Sequence, residues 1–525
     1  MMVSVPIEKA SLSIVRLVLV LLLTIFFCFL GSASTSAEEA AALFKWKASF
    51  SNKNNSLLSS WILQPNTANS SNNVSKEIVA SPCSWYGVSC INGSVNSLNL
   101  RDLSIHGTLY DFPFSPLPNL EYLDMSENGL AGSIPPQIGN LSKLIYLDLS
   151  INAFSNEIPR EIGKLKNLQT LHLKGNFLSG SIHEEMGQLR FLSDLDLAAN
   201  FLYGRIPPEL GNLDNLVEVS MDGNLISGPI PSTFGNLNKL EALLLSSNNF
   251  SGPIPPSIGN LTSLHTLNLF YNNLSGSIPR SLGNLSNLSY LDIHRNQLSG
   301  SIPKKLGNLK ALEYLDLSNN LITGSIPVTL AKNLSNLLFL YLAGNNLSGP
   351  IPQEVANLTE LNDMSMAENQ FTGHLPQGLC QSGVLTILDV DDNMLTGPIP
   401  RGLNNCSSLF LASFRGNQFT GKLSEMFGGV YPNLDYMNLS DNNFYGELSA
   451  NWGRCPRLTT LKISENNISG RIPPELRNLT WLKELKLYSN RLIGDISKEL
   501  RNLTHLNILD LYSNRLTGEI PKEFG

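Results

Sequence analysis

Between Leu261 and Pro279 hydrophobic and polar residues follow one plan: Leu267 and Leu269 alternate with Thr266, Asn268 and Phe270. A period of two over so short a run predicts a strand with one buried face, its leucines turned inward. Asn272 stands where the chain must leave that strand, and a turn buried there leaves backbone groups in need of partners. Its amide both donates and accepts, so stacked asparagines can satisfy the turns of successive coils. Leu274 and Ile278 then fill the interior, Gly276 permits a tight or positive-φ turn, and Pro279 opens the outer side without needing a donor. The stretch "SLGNL" (281–285) is too short and too broken by glycine for a long helix, which predicts a 3₁₀ turn or irregular outer side.

The plan recurs. Ladder asparagines stand at Asn128, Asn152, Asn176, Asn200, Asn224, Asn248, Asn272, Asn296, Asn320, Asn345, Asn369, Asn393, Asn417, Asn442, Asn466, Asn490 and Asn514, every step being 24 or 25 residues. An irregular first unit, "SLNLRDL" (97–103), carries leucine at the ladder position and makes about 18 units. Stacked units lengthen a chain without enlarging one core, so 525 residues predict one solenoid rather than several globular domains. The expected fold is an α/β solenoid, a right-handed superhelix with a parallel sheet on its concave face.

Leucine-rich repeats have this form, and the "LSGxIP" extension, as in "YNNLSGSIP" (271–279) and "GNNLSGPIP" (344–352), resembles the plant-specific type across residues 98–525. Before it, "EEAAALFKWKASF" (38–50), Trp61 and "PCSWYGVSC" (82–90) resemble the N-terminal cap of plant receptor-like kinases, here residues 38–97. That resemblance implies a Cys83–Cys90 disulfide, as expected of a secreted cap shielding an apolar end. The stretch "NWGRCPRLTTLKISENNISGRIPPEL" (451–476) is similar to the male-discoverer-interacting receptor-like kinase group, which implies recognition of serine-rich endogenous peptides. Full-length members of such families carry a Ser/Thr kinase domain. Here the chain stops at Gly525 in mid-coil, so Leu509, Leu511 and Leu516 are expected to lie in a last coil without a C-terminal cap, prone to fraying or aggregation.

Composition narrows the function classes. Charged residues are 15% and the net charge is −7, spread along the chain, which excludes a basic nucleic-acid surface. Lys9 and Arg16 precede the apolar run "LVLVLLLTIFFCFL" (17–30) and a small-residue stretch, the form of a secretory signal over residues 1–37. The expected location is therefore extracellular, or the outer face of the plasma membrane if the gene continues into a transmembrane segment. About 18 N-x-S/T sequons are present, among them Asn140, Asn249, Asn260, Asn273, Asn284, Asn346, Asn357, Asn478 and Asn502, and none lies between Asn140 and Asn249. Asn438 is a sequon on an inner strand, where a glycan would obstruct the groove.

Catalytic constellations are lacking. "HRN" (294–296) ends an inner strand and has no phosphate loop, strand lysine or metal-binding Asp motif beside it. The seven histidines form no HExxH and no Cys/His zinc spacing, so the sequence points to no metal and no cofactor. Cys380 and Cys406 lie one coil apart, near enough at roughly 5 Å per coil that a disulfide is favoured over two thiols, whereas Cys455 occupies a core position.

Recognition is then the expected role, and the residues second, fourth and sixth before each ladder asparagine form the exposed concave face. Three consecutive coils combine aromatic platforms with hydrogen-bonding groups: Thr266, Asn268 and Phe270; Tyr290, Asp292 and His294; Tyr314, Asp316 and Ser318. Rings supply burial for an extended peptide, and amides or carboxylates fix its register. A second, more charged patch comprises His172, Lys174, Asp194, Asp196, Glu218 and Asp222. A secreted peptide of about 12 to 15 residues would cross eight to ten strands between His172 and Asp391. Lys462, Glu484, Lys486, Tyr488 and Tyr512 suit contact with a co-receptor kinase of the somatic-embryogenesis receptor kinase type, a partner the resemblance implies. The competing expectation is a free-standing apoplastic inhibitor of a cell-wall enzyme.

Overall fold

A computed structural model describes residues 36–51, 56–63, 81–426, 431–520 and 522. The expected secretory signal therefore lies outside the described residues, except for its last two positions. Two compact units are present, one ending at Ile226 and the other beginning at Ser227. No helix among the described residues is long and apolar enough to cross a membrane.

In the first unit a helix over 36–48 leads into an antiparallel hairpin, Val88–Ile91 with Ser94–Asn99. Trp46, Phe50 and Phe112 meet edge to face, and Trp61 stacks on Trp85 at 5.3 Å. Cys83 and Cys90 are disulfide-bonded, with Cα atoms 5.4 Å apart. The second hairpin strand is also the first rung of the repeat, since Leu98 pairs in parallel with Leu123. Six inner strands belong to this unit, the last being Glu218–Ser220, and twelve belong to the second, from Ala242–Leu244 to Ile508–Asp510. Each is three residues long after the hairpin strand, with its central residue buried, or half-buried in the last strand, and its flanking residues facing the opposite way.

Within the second unit the strands Thr266–Asn268, Tyr290–Asp292 and Tyr314–Asp316 pair in parallel with equivalent residues opposite one another. Asn272 is buried, and its Nδ2 donates to the carbonyls of Leu245, Leu269 and Phe270 at 3.0, 3.1 and 3.2 Å. Its Oδ1 accepts from the Phe250 N–H at 3.0 Å, which ties each coil to the one before it. These bonds also hold Tyr271 at φ 53°, a left-handed conformation that costs a non-glycine residue roughly 1–2 kcal/mol.

After the ladder the chain forms short second strands such as Asn273–Ser277, where Gly276 adopts φ 77°. Outer sides are single 3₁₀ turns such as Arg280–Asn284, as the sequence predicts. Val328–Asn333 and Leu423–Met426 are α-helical turns instead, each in a unit that carries one extra residue. Glycine's role in these turns differs from that of a helix breaker: a Cβ on Gly283 would meet the Lys305 carbonyl oxygen at 2.2 Å, so glycine lets adjacent turns touch.

Cys380 and Cys406 are disulfide-bonded, while Cys455 is a buried free thiol whose pKa is raised by burial. In the last coil Leu509, Leu511 and Leu516 are half-buried.

Candidate functional site

In the second unit the repeat places two rows of side chains side by side. Thr266, Tyr290, Tyr314, Phe339 and Asp363 are register partners in turn, and so are Asn268, Asp292, Asp316, Tyr341 and Ser365. Tyr290 and Tyr314 stack at 4.4 Å with rings 12° apart, while Phe339 and Tyr341 lie 5.7 Å from Tyr314. Beside them Phe270 and His294 stack at 4.7 Å, nearly coplanar at 2°. All these rings are half-buried, so each keeps a face toward solvent while its neighbours fix its orientation. Phe339 and Tyr341 extend the surface by a coil beyond the expected three, and they occupy the sixth and fourth positions before Asn345.

Asp292 and Asp316 sit differently from the sequence expectation. They are only 3% and 6% exposed, each bonded by the tyrosine two residues earlier on its own coil. The hydroxyl of Tyr290 donates to Asp292 Oδ2 at 3.2 Å, and that of Tyr314 to Asp316 Oδ2 at 3.4 Å. Ser318 donates its N–H and hydroxyl to Asp316 Oδ1 at 2.8 and 2.6 Å. These carboxylates therefore hold the aromatic platform from beneath, leaving Thr266, Asn268, Phe270 and His294 with the rings at the surface. Burial pushes the Tyr290 phenol up to about 12, with the Asp292 charge adding to it, so the tyrosines remain neutral donors at any physiological pH. Burial also raises the Asp316 carboxyl.

His294 Nδ1 lies 2.6 Å from Asp292 Oδ1 and 3.4 Å from Asp316 Oδ2. Burial opposes its charge, but the hydrogen bond and charge of Asp292 outweigh that and raise its pKa. One ligand atom from each of Asp292, His294 and Asp316 lies within 4.8 Å of the others, a donor set able to hold a metal ion. No spacing motif announces it, because the donors come from consecutive coils.

Further along, Ser365 donates to Asp389 Oδ2 at 3.0 Å, and Ser413 donates to Asp391 Oδ2 at 2.7 Å. Burial, with Asp389 and Asp392 nearby, pushes Asp391 up to about 7. Neither serine belongs to the patch expected from sequence.

The charged patch lies in the first unit. His172 Nε2 is 2.9 Å from Asp194 and Nδ1 is 3.5 Å from Asp148; these contacts overcome burial and hold the imidazole up at about 10. Lys174 approaches Asp196 at 3.9 Å, and burial with the charges of Asp194 and Asp196 raises Glu218. Asp222 takes part through its backbone, accepting from the Ala199 N–H at 2.7 Å. Tyr122 and Tyr146, not singled out from sequence, stack at 4.3 Å beside it.

Near the C-terminal coils Glu484 is held by Lys462 at 3.0 Å and Lys486 at 2.8 Å. Burial is outweighed there by the two lysines, which keep Glu484 below its usual range. Tyr488 and Tyr512 stack at 4.6 Å, and Tyr512 is exposed. The nine sequon asparagines Asn140, Asn249, Asn260, Asn273, Asn284, Asn346, Asn357, Asn478 and Asn502 are all exposed. Asn438 is 4% exposed with its Oδ1 accepting from the Ser440 N–H, so a glycan there requires the side chain to leave its place.

Comparison with known proteins bears on both fold and site. Leucine rich repeat profiles match residues 262–322 and 286–347, a two-copy profile matches 456–502, and single repeats match 119–141, 167–189, 215–237, 239–261, 384–406 and 505–525. The Leucine rich repeat N-terminal domain matches 36–73 and 79–91. The ectodomain of the Arabidopsis receptor kinase HAESA, solved with an N-terminally extended IDA peptide hormone, is similar at 33% identity and TM-score 0.72, over 94% of this chain and 88% of that one. The chain belongs to the leucine-rich-repeat family.

Its leucine-rich-repeat neighbours include the plant peptide hormone receptor RGFR1 in complex with RGF2, at 32% identity and TM-score 0.71, over 84% of this chain and 85% of that one. HAESA is also solved with IDA and the co-receptor SERK1, at 30% identity and TM-score 0.56, over 92% of this chain and 95% of that one. Among curated relatives, a probable leucine-rich repeat receptor-like protein kinase of Arabidopsis thaliana is 50% identical over 21% of this chain and 9% of its own length. MDIS1-interacting receptor like kinase 2, from the same plant, is 47% identical over 22% of this chain and 10% of its own length. The match thus spans about a tenth of the length of these relatives.

Proposed function

We propose that this chain is the extracellular recognition module of a plant receptor-like kinase and binds a secreted peptide along the concave strands of its second unit. The observation that carries this reading is the platform of Phe270, His294, Tyr290, Tyr314, Phe339 and Tyr341, fixed from beneath by Asp292 and Asp316, with Asp363 accepting from the Tyr341 hydroxyl. A surface whose rings are already oriented loses little rotamer entropy on binding, which favours affinity. Similar ectodomains are solved with peptide hormones, which supports the same occupant here.

The strands from Thr266–Asn268 to Ile387–Asp389 are six, which at about 4.8 Å spacing span roughly 24 Å and accommodate a peptide core of about seven extended residues. Apolar side chains would pack on the rings, while Asn268 and Thr266 pair with backbone or hydroxyl groups. The exposed Tyr512 with Tyr488, and the Lys462–Glu484–Lys486 cluster, form the surface we assign to a co-receptor kinase.

Calorimetric titration of the secreted chain with serine-rich peptides tests the site. Phe339→Ala and His294→Ala are each expected to weaken binding about tenfold, the usual cost of truncating an interface anchor. Binding of equal strength by the parent and both variants would place the peptide elsewhere.

A further inference from the structure

We propose that Asp292, His294 and Asp316 form a binding site for a divalent transition-metal ion of the zinc type, with one coordination position open to the concave groove. Asp292 and Asp316 are direct register partners on adjacent parallel strands, which fixes their carboxylates side by side. His294 lies two residues beyond Asp292, and stacking on Phe270 holds its ring so that Nδ1 faces both carboxylates. One imidazole nitrogen and two carboxylate oxygens suit Zn²⁺ better than Mg²⁺ or Ca²⁺, which take oxygen ligands.

One donor separation already fits a tetrahedral ion, and all three donors lie within 4.8 Å of one another. Bonds of about 2.0–2.1 Å at the tetrahedral angle place donor atoms roughly 3.3 Å apart. Asp316 Oδ2 already lies 3.4 Å from His294 Nδ1, and Asp292 Oδ1, at 2.6 Å, needs only a small carboxylate rotation. On binding, the proton that bridges Nδ1 to Asp292 leaves to solvent, and the nitrogen lone pair takes the metal. Both carboxylates are held by further groups: the Tyr290 and Tyr314 hydroxyls and the Ser318 hydroxyl and N–H. Such outer contacts orient metal ligands.

His172 in the first unit provides the contrast. It also lies between two aspartates, but it reaches Asp148 through Nδ1 and Asp194 through Nε2, on opposite edges of the ring. Those donors cannot converge on one ion, whereas both His294 contacts use the same nitrogen.

Metal alone tests this, so the result is separate from that of the peptide titration. The full secreted chain, freed of metal with chelator, is titrated calorimetrically with ZnCl₂ and with MgCl₂. One saturable Zn²⁺ site is expected, with no Mg²⁺ site of comparable strength. His294→Ala and Asp316→Asn are expected to weaken Zn²⁺ binding at least tenfold and Ser318→Ala about tenfold, whereas His265→Ala, at an exposed residue outside the cluster, leaves it unchanged. Because Asp316→Asn disturbs a buried group, the parent chain is also loaded with Co²⁺, whose intense visible absorption in four-coordinate sites reports this geometry without any substitution. Absence of saturable Zn²⁺ binding at millimolar metal, undiminished binding by His294→Ala, or only the weak spectrum of six-coordinate Co²⁺ would each overturn the proposal.

Discussion

Replacing Asn272 with leucine is expected to destabilise the second unit by about 1–3 kcal/mol, although leucine is apolar and similar in size. The carbonyls of Leu245, Leu269 and Phe270 each lose one donor but keep another, from Asn248, Asn296 and the Ser247 N–H, whereas the Phe250 N–H loses its acceptor. Each buried backbone group left unpaired costs roughly 1–3 kcal/mol. The cost crosses between coils, since Leu245 and Phe250 belong to the preceding one. In a solenoid, stability is a sum of unit and neighbour terms, so the damage should centre on coils 245–272. Urea unfolding followed by tyrosine fluorescence, with limited proteolysis to locate the opening, measures it. An unchanged midpoint would count against the ladder.

Gly283→Ala carries the second large effect, about 2–3 kcal/mol, within the usual range for forcing an extra methyl into a packed contact. The added Cβ would meet Lys305 at 2.2 Å from its carbonyl oxygen and 2.6 Å from its carbonyl carbon, both backbone atoms that cannot rotate away. Gly259, one coil earlier, faces the Ser281 carbonyl at 2.3 Å in the same way. Alanine stands at the equivalent Ala356, where the next turn differs: Gly378 faces Ala356 and leaves room for its methyl. Gly283→Ala should therefore be costly, while Ala356→Gly should change little. Equal urea midpoints for Gly283→Ala and the parent would refute the close contact.

These two positions show why most of the solenoid was legible in the sequence. A strand leucine, a ladder asparagine and a positive-φ glycine each perform one local task, repeated often enough to expose it. Gly283 was legible as a break in the helix but not as a contact, because its partner Lys305 lies on the next coil and sequence pattern carries no inter-coil distance. The same limit applies to the site. Tyr290, Tyr314, Phe270 and His294 were readable as concave by their offset from the ladder, and Phe339 and Tyr341 obeyed the same offset without being singled out. Asp292 and Asp316 were expected beside the rings; the structure puts them beneath, because neighbouring tyrosine hydroxyls and Ser318 consume their oxygens. The convergence of those carboxylates on His294 Nδ1 depends on strand register and had no sequence spacing to reveal it.

Photocrosslinking locates a bound peptide on the solenoid. A binding peptide carrying benzoyl-phenylalanine at its centre is irradiated with the chain, and adducts are located by mass spectrometry. Adducts are expected on the concave strands between Thr266 and Ser365, concentrated at Phe270, Tyr314, Phe339 and Tyr341. Adducts confined to the outer turns, or to the strands around His172 and Asp194, would contradict this placement.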